Sequence, residues 1–167
     1  MIDRDKTGSP EAPGPENQVD ALLDIVRDLY EEKIPFNRVL GMRVETISAE
    51  NVGVRFEMTE ALIGNFVLKT LHGGVISAVL DATGGMTASV GVLRKMHHRP
   101  LEEIAERFTR IGTIDLRVDY LRPGRGAFFR ASGTIMRTGN KVAVTRMALH
   151  NDSDVLIAVG TGTYLVG

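Results

Sequence analysis

The sequence TLHGGVISAVLDATGG, which runs from Thr70 to Gly85, carries the most informative pattern in this chain. A histidine and two glycines stand where an apolar, helix-like segment begins, and a single carboxylate, Asp81, follows about two turns later. The segment from Gly74 to about Arg94 is apolar on nearly all sides, which is typical of a helix buried in a core. We therefore predict one long, buried helix at the centre of the fold.

Strand patterns flank this helix on both sides. Two segments before it and four after it have strand character and are bounded by turn signals; they are 42–47, 52–58, 113–123, 127–137, 141–151 and 155–166. An amphipathic helix is predicted from Val19 to about Lys33, where Pro35 ends the run, and a polar helix from Pro100 to Arg110. This order of elements predicts an α+β domain in which an antiparallel sheet wraps round the central helix.

Composition restricts the classes of protein to which the chain can belong. Its 167 residues suffice for one domain, and a formal net charge of −1 gives no field for gathering nucleic acid or acidic membranes. The absence of cysteine excludes disulfides, thiolate metal sites and cysteine nucleophiles. No apolar run is expected to reach membrane-spanning length and no signal-peptide core is evident, so a cytoplasmic location is predicted.

The chain is predicted to divide into a tail and one domain. Residues 1–17 are rich in proline, glycine and charge, and we expect them to form a disordered N-terminal tail. Residues 18–167 are expected to form a single domain that begins with the amphipathic helix.

Gly73 and Gly74 lie where a loop becomes a helix. The first backbone N–H groups of a helix have no partner within it, and the helix dipole is positive there. Because glycine has no Cβ, the oxygen of a ligand could approach these donors closely, as in an oxyanion hole. The alternative is that the two glycines only shape a tight turn.

Asp81 stands among apolar residues in the middle of the predicted helix. A buried, unpaired carboxylate is costly, so this side chain needs a hydrogen-bonding partner or a polar cavity. Such carboxylates are frequent at functional sites, although a structural aspartate that bonds to nearby backbone is the alternative.

The spacing of Gly74 and Asp81 predicts a dimer. The two residues are seven positions apart, on nearly the same helix face, and so about 10 Å apart along the axis. A base and an oxyanion donor must both lie about 3 Å from one reacting group, which a single helix cannot readily arrange. Two antiparallel copies could do so, with donors from one subunit and Asp81 from the other.

The sequence HGGVISAVLDATGG is similar to the signature of the hotdog-fold thioesterases, specifically the phenylacetate-degradation (PaaI-like) branch of the 4-hydroxybenzoyl-CoA thioesterase superfamily. That signature has an asparagine, a short gap, His-Gly-Gly, and an aspartate eight residues on from the first glycine. The resemblance spans about Phe36 to Gly167. It implies a hotdog fold and hydrolysis of a medium-chain, long-chain or aryl acyl-CoA, with no metal or redox cofactor, in a homodimer or homotetramer.

The resemblance also implies roles for individual residues. Asp81 would be the nucleophile or general base, and the N–H of Gly73 or Gly74 would polarise the thioester carbonyl. A thioester is already activated, so a carboxylate and an electropositive helix end can suffice without a Ser-His pair. Whether Asp81 attacks directly or takes a proton from water stays open.

Further residues are implied in supporting roles. Asn65 would orient the thioester or the attacking water, although it precedes His72 by seven residues where about six are expected. His72 would help to set the loop, and Thr113 would lie near the attacking water. The acyl pocket would involve Val67, Leu68 and Met86, and the CoA phosphates would contact Arg122, Arg125 and Lys141.

Two other functions remain open at this point. A CoA-dependent hydratase on the same fold would pair a histidine, such as His72, with a carboxylate or a glycine donor. A non-catalytic acyl-CoA sensor would bind its ligand without needing Asp81. The position of Asp81 favours hydrolysis over hydration or dehydration. A sensor would normally carry an attached effector domain, for which the N-terminal tail is too short and too polar.

Overall fold

The computed structural model describes the backbone of residues 15–167 and the side chains from Val19 onward. Most of the predicted tail, residues 1–14, therefore lies outside the described residues. Within that range the helices are α1 (Pro15–Asp28), which continues into a π-helical turn (Leu29–Lys33), α2 (Pro35–Val39), α3 (Gly73–Met96) and α4 (Leu101–Thr109). The strands are β1 (Arg43–Ile47), β2 (Asn51–Glu57), β3 (Ile63–Asn65), β4 (Thr70–Leu71), β5 (Gly112–Tyr120), β6 (Phe128–Thr138), β7 (Val142–Asn151) and β8 (Leu156–Leu165).

One antiparallel sheet wraps round α3. Its strand order is β1-β2-β6-β7-β8-β5, and β3 pairs with β4 in a separate short hairpin. Strands β5, β6, β7 and β8 all pack against α3, and its central part is almost wholly buried. The predicted α+β hotdog architecture is confirmed, because the long apolar segment is the core about which the sheet folds.

Glycines within α3 admit side chains from elements packed against the helix. A Cβ at Gly84 would lie 2.8 Å from ring atom Cζ of Tyr164, and a Cβ at Gly85 would lie 3.2 Å from the Tyr30 hydroxyl. The loss of helix propensity, about 1 kcal/mol for each glycine relative to alanine, is therefore compensated by close packing of two tyrosines. The groups that approach these two glycines closely are therefore side chains.

Helix α3 is long and apolar enough to cross a membrane, by length and composition alone. This corrects the expectation that no apolar run reaches that length. In the fold, 72% of its most apolar 18-residue window is buried inside the protein. The apolar composition therefore reflects the place of α3 in the core.

Three local features differ from the sequence prediction. Helix α1 begins at Pro15, inside the predicted tail, because proline is compatible with the first turn of a helix. Pro35 begins α2 for the same reason. It also ends the preceding helical segment at Lys33, because the residue before a proline disfavours helical backbone and Ile34 is extended. The predicted loop after Met58 contains β3 and β4.

Strand β5 lies at an edge of the sheet and pairs only with β8 within the described chain. The alternation of Ile114, Leu116, Val118 and Tyr120 along the sequence predicts that these four side chains share one apolar face of the strand. Leu116 and Val118 pack against the core, whereas Ile114 and Tyr120 are 57% and 53% exposed. The chain thus presents an edge strand with exposed apolar side chains next to the helix that carries Asp81.

Candidate active site

Asp81 lies on α3 at the mouth of a cavity of about 300 Å³. The carboxylate is partly buried, and most of the lining is apolar or aromatic. The side chains that form the apolar wall are Tyr30, Ile34, Phe36, Ala78, Ala82 and Ile111. A carboxylate beside an apolar cavity can face a substrate whose reactive group is polar and whose remainder is not.

Two hydroxyl groups hold one oxygen of the Asp81 carboxylate. Thr113 donates from Oγ1 to Oδ1 over 2.9 Å, and Tyr164 donates to the same Oδ1 over 3.3 Å. The Tyr164 hydroxyl also lies 3.1 Å from the backbone oxygen of Asp81. Within residues 19–167, the second carboxylate oxygen, Oδ2, accepts no hydrogen bond.

Pairing of β5 with β8 brings these two donors together. Thr113 stands opposite Tyr164 in the antiparallel ladder, and the register shifts between Thr113 and Asp115. Opposite residues of a ladder project to the same face, and an irregularity of this kind re-aims a side chain. Both hydroxyls consequently point at α3, where Asp81 lies.

The tyrosines of the cavity remain protonated donors at ordinary pH. Burial raises the pKa of Tyr30 to about 12, and its hydroxyl lies 3.2 Å from Oγ of Ser89. Burial also raises the pKa of Tyr164, and the charge of Asp81 raises it further. A phenol held neutral beside a carboxylate is a permanent hydrogen-bond donor to that carboxylate.

The start of α3 is capped by His72. Its ring atom Nδ1 accepts a 2.9 Å hydrogen bond from the backbone N–H of Gly74. The backbone N–H of His72 donates to the carbonyl of Leu62 over 2.9 Å. Gly64 permits this arrangement, since a Cβ there would lie 2.6 Å from Cα of His72. Of the two predicted oxyanion donors, the N–H of Gly74 is therefore already hydrogen-bonded to His72. The N–H of Gly73, the first residue of the helix, is the other candidate.

Gly73 and Asp81 line different cavities. Gly73 borders a groove of about 360 Å³ that also contains Leu71, Tyr120 and Arg122. This groove and the Asp81 cavity share no lining residue. In one chain, the oxyanion donor and the carboxylate therefore do not face a common space, as the spacing along the helix predicts.

Tyr120 is a site residue that the sequence did not single out. Its hydroxyl donates to the carbonyl of Gly73 over 3.2 Å and also hydrogen-bonds with the hydroxyl of Ser77. Tyr120 thereby fixes β5 against the first turn of α3. Tyr30 and Tyr164 were missed in the same way, because only the pairing of distant strands and helices places them near Asp81.

The residues predicted to contact CoA lie in two places. Arg122 lines the groove beside Gly73, with its guanidinium donating to the carbonyl of Leu156 over 3.0 Å, and Arg125 lies further along the same loop. Lys141 lies in the turn that joins β6 to β7, at the other end of this hairpin from Asn151, which hydrogen-bonds to Arg125. One chain therefore brings Arg122 to the groove at the start of α3, whereas Arg125 and Lys141 do not line that groove.

The remaining predicted residues are split between a loop and the core. Asn65 accepts hydrogen bonds at Oδ1 from the N–H groups of Val67 and Leu68, over 3.1 and 2.9 Å, and so shapes the β3–β4 loop. The side chains of Val67 and Leu68 are exposed on that loop, next to an exposed Phe66. Met86 is fully buried in the core and does not line the Asp81 cavity.

No metal centre accompanies this arrangement in the part of the chain that the structure describes. No group of three or more histidine, aspartate or glutamate side chains there is close enough to hold a metal ion. The chemistry available at the site is that of a carboxylate, hydroxyl donors and the start of a helix.

Comparison with known proteins relates this chain to thioesterases. The family model described as thioesterase superfamily matches residues 68–158. A protein of Escherichia coli K12 named medium/long-chain acyl-CoA thioesterase YigI is 43% identical over 145 residues, which cover 87% of this chain and 94% of that protein. The Salmonella typhimurium protein of the same name is 41% identical over the same shares.

Solved structures also resemble this fold. A Shewanella oneidensis protein described as related to the thioesterase superfamily superposes with a TM-score of 0.86 at 43% identity, covering 89% of this chain and 97% of that one. A protein from Syntrophus aciditrophicus has a TM-score of 0.80 at 46% identity, with coverages of 91% and 99%.

Proposed function

The chain belongs to the thioesterase superfamily and is a thiolester hydrolase, and we propose that it hydrolyses medium- or long-chain acyl-CoA to the free acid and CoA. The observation that carries the proposal is Asp81, a carboxylate oriented by two hydroxyls at the mouth of an apolar cavity. The name of the E. coli relative supports the same substrate class. We retain the cytoplasmic location as a prediction.

Asp81 would supply the chemistry through Oδ2. In one route this oxygen takes a proton from water as the water oxygen adds to the thioester carbonyl. The tetrahedral intermediate then collapses, the C–S bond breaks, and the proton passes to the departing thiolate. In the other route Oδ2 itself attacks, CoA leaves, and water cleaves the resulting anhydride. Both routes use a carboxylate oxygen that is free of hydrogen bonds, and within residues 19–167 Oδ2 of Asp81 accepts none.

The oxyanion would be stabilised at the start of α3 of the partner subunit. Gly73 offers an N–H at the positive end of the helix dipole, but in its own chain this donor and Asp81 are about 10 Å apart along the axis. A homodimer with antiparallel α3 helices would place Gly73 of the partner subunit near Asp81. The exposed Ile114 on edge strand β5 and the exposed β3–β4 loop provide apolar surface for that contact. A homotetramer would contain two such dimers.

The apolar lining of the Asp81 cavity favours a substrate with an aliphatic acyl chain. Its wall is formed by aliphatic and aromatic groups with small residues, Ala78, Ala82 and Gly85, along the face of α3 next to Asp81. Arg122 lines the groove at the start of α3 and Arg125 follows on the same loop, and both would contact the CoA phosphates that arrive with the thioester. Lys141 would contact the CoA phosphates only if CoA bound at one subunit reaches the β6–β7 turn of another subunit.

The test compares wild type with Asp81→Asn on a panel of acyl-CoA substrates of increasing chain length, with aryl-CoA and 2-enoyl-CoA included. We expect hydrolysis to peak with medium or long chains and to fall by about 10²-fold or more in Asp81→Asn, which should still fold and bind CoA. Hydration of enoyl-CoA without hydrolysis, or full activity of the variant, would contradict the proposal.

A further inference from the structure

The hydroxyl of Tyr164 lies against Asp81, within hydrogen-bonding distance of both its backbone oxygen and its Oδ1. We propose that Tyr164 is a positioning residue that, with Thr113, holds Oδ1 of Asp81 and leaves Oδ2 as the reactive oxygen. This inference rests on the proposed function, in which Asp81 is the catalytic carboxylate. It assigns a role to a residue of the last strand, far in sequence from the His-Gly-Gly motif.

The position of Tyr164 depends on close packing against α3. The residue is 1% exposed and its ring lies over Gly84, where a Cβ would come within 2.8 Å of ring atom Cζ. A glycine at this point of the helix allows the phenol to reach the turn that carries Asp81. Any larger residue at position 84 would move the ring away from the carboxylate.

Two contacts determine where the hydroxyl proton points. The two oxygens of Asp81 near the Tyr164 hydroxyl are its backbone oxygen at 3.1 Å and its Oδ1 at 3.3 Å, and the buried Thr145 side chain also hydrogen-bonds with that hydroxyl. In a helix that backbone oxygen already accepts the N–H four residues on, whereas Oδ1 is a charged acceptor and forms the stronger bond. Donation to Oδ1 is therefore the favoured arrangement when Asp81 is ionised.

The two donors act on the same oxygen from adjacent strands. Thr113 and Tyr164 are opposite residues of the β5–β8 ladder, so their hydroxyls are held in one geometry by the sheet rather than by flexible side chains. Both bonds restrain the plane of the carboxylate. Within residues 19–167, Oδ2 is the carboxylate oxygen that accepts no hydrogen bond.

The experiment measures pH profiles of kcat and KM for Tyr164→Phe with a medium-chain acyl-CoA. We expect kcat to fall by about 10- to 100-fold with KM little changed, because a hydrogen bond to a charged group is lost and the ring remains. The loss should appear in kcat rather than in KM at every pH assayed, which separates positioning of Asp81 from a change in substrate binding. Tyr30, which also lines the cavity, stays protonated because burial raises its pKa to about 12.

Thr83→Val is the matched control. Thr83 is a fully buried residue of α3 whose Oγ1 donates to the carbonyl of Val79 over 2.7 Å, and it does not line the cavity. This variant also loses a buried hydroxyl and should cost similar stability, with kcat and the pH profile within about twofold of wild type. Thermal unfolding of both variants separates loss of stability from loss of positioning.

The outcomes distinguish this inference from the proposed function. If Asp81→Asn is inactive while Tyr164→Phe keeps wild-type kcat and pH profile, Tyr164 is only structural and the positioning role is wrong. If Asp81→Asn is as active as wild type, both proposals fail. A double variant of Tyr164→Phe with Thr113→Val should show non-additive losses, because the two donors share one oxygen; strictly additive losses would contradict shared positioning.

Discussion

Thr113 and Tyr164 stand opposite each other on neighbouring antiparallel strands, and both of their hydroxyls donate to the same oxygen of Asp81. An edge strand and the strand next to it thus complete a site whose carboxylate belongs to the central helix. The sheet fixes the geometry of both donors before any substrate arrives. Such prior orientation is what a carboxylate needs to act on a thioester without first reorganising.

Removing the hydroxyl of Thr113 should impair catalysis more than folding. Thr113 is exposed, so Thr113→Val leaves the core intact but removes the 2.9 Å bond to Asp81. We expect kcat to fall about 10-fold and the unfolding temperature to change little. Thr113→Ser keeps the donor and should retain most of the activity. Wild-type kcat in Thr113→Val would show that the hydroxyl is not required, and a loss in Thr113→Ser as large as in Thr113→Val would show that the hydroxyl alone does not explain the effect.

The sequence was sufficient to predict the central helix, the antiparallel sheet and the family resemblance, and these predictions are confirmed. They follow from local periodicity and from one contiguous motif, which a single sequence displays. Tyr164 and Tyr30 could not be found in this way. Their place beside Asp81 depends on strand pairing and on helix packing between residues more than fifty positions apart, and neither leaves a local pattern.

The site predictions stay predictions, although the structure sorts them by position. Thr113 lies against Asp81, His72 caps α3, and Met86 is remote from the cavity because the inward face of α3 packs against the sheet at that point. The sequence marked the apolar character of Met86 correctly. It could not tell which apolar positions line a cavity and which fill the core, because both have the same periodicity.

Replacement of His72 should weaken the start of α3. His72→Ala removes the acceptor of the Gly74 N–H, and we expect a loss of about 1 kcal/mol, or a few degrees in the unfolding temperature of a domain of this size. His72→Asn provides another capping side chain and should recover most of that stability. Differential scanning calorimetry gives the comparison. If Ala and Asn are equally destabilised, the imidazole acts by contacts other than the cap.

Filling the Asp81 cavity should shorten the preferred acyl chain. Ala82 lines the cavity one residue after Asp81, so Ala82→Leu places three more carbon atoms in the proposed acyl site. We expect kcat/KM for the longest substrates to fall about 10-fold or more, while the shortest active substrate is affected much less. Val67→Ala, on the exposed β3–β4 loop, is the contrasting variant. If Val67→Ala changes the chain-length profile and Ala82→Leu does not, the acyl chain binds at the loop instead.

A composite site can be tested by complementation between two inactive variants. Asp81→Asn removes the carboxylate, and Gly73→Pro removes the proposed oxyanion donor at the first helical position, where proline is well tolerated. His72 has the extended backbone, with φ −66° and ψ 135°, that a following proline requires. Each homodimer should be inactive although both variants fold.

Mixing the two variants under conditions that exchange subunits should restore activity if the site is shared. Each heterodimer then has one site with Asp81 from the Gly73→Pro subunit and Gly73 from the Asp81→Asn subunit, and one site that lacks both groups. Because at most half of the dimers are mixed and each has one intact site, activity should recover to about a quarter of wild type. Recovery must also depend on exchange, so it should be absent when the variants are mixed and assayed at once. If no activity returns although mass measurements show heterodimers, Asp81 and Gly73 act within one chain and the composite site is wrong.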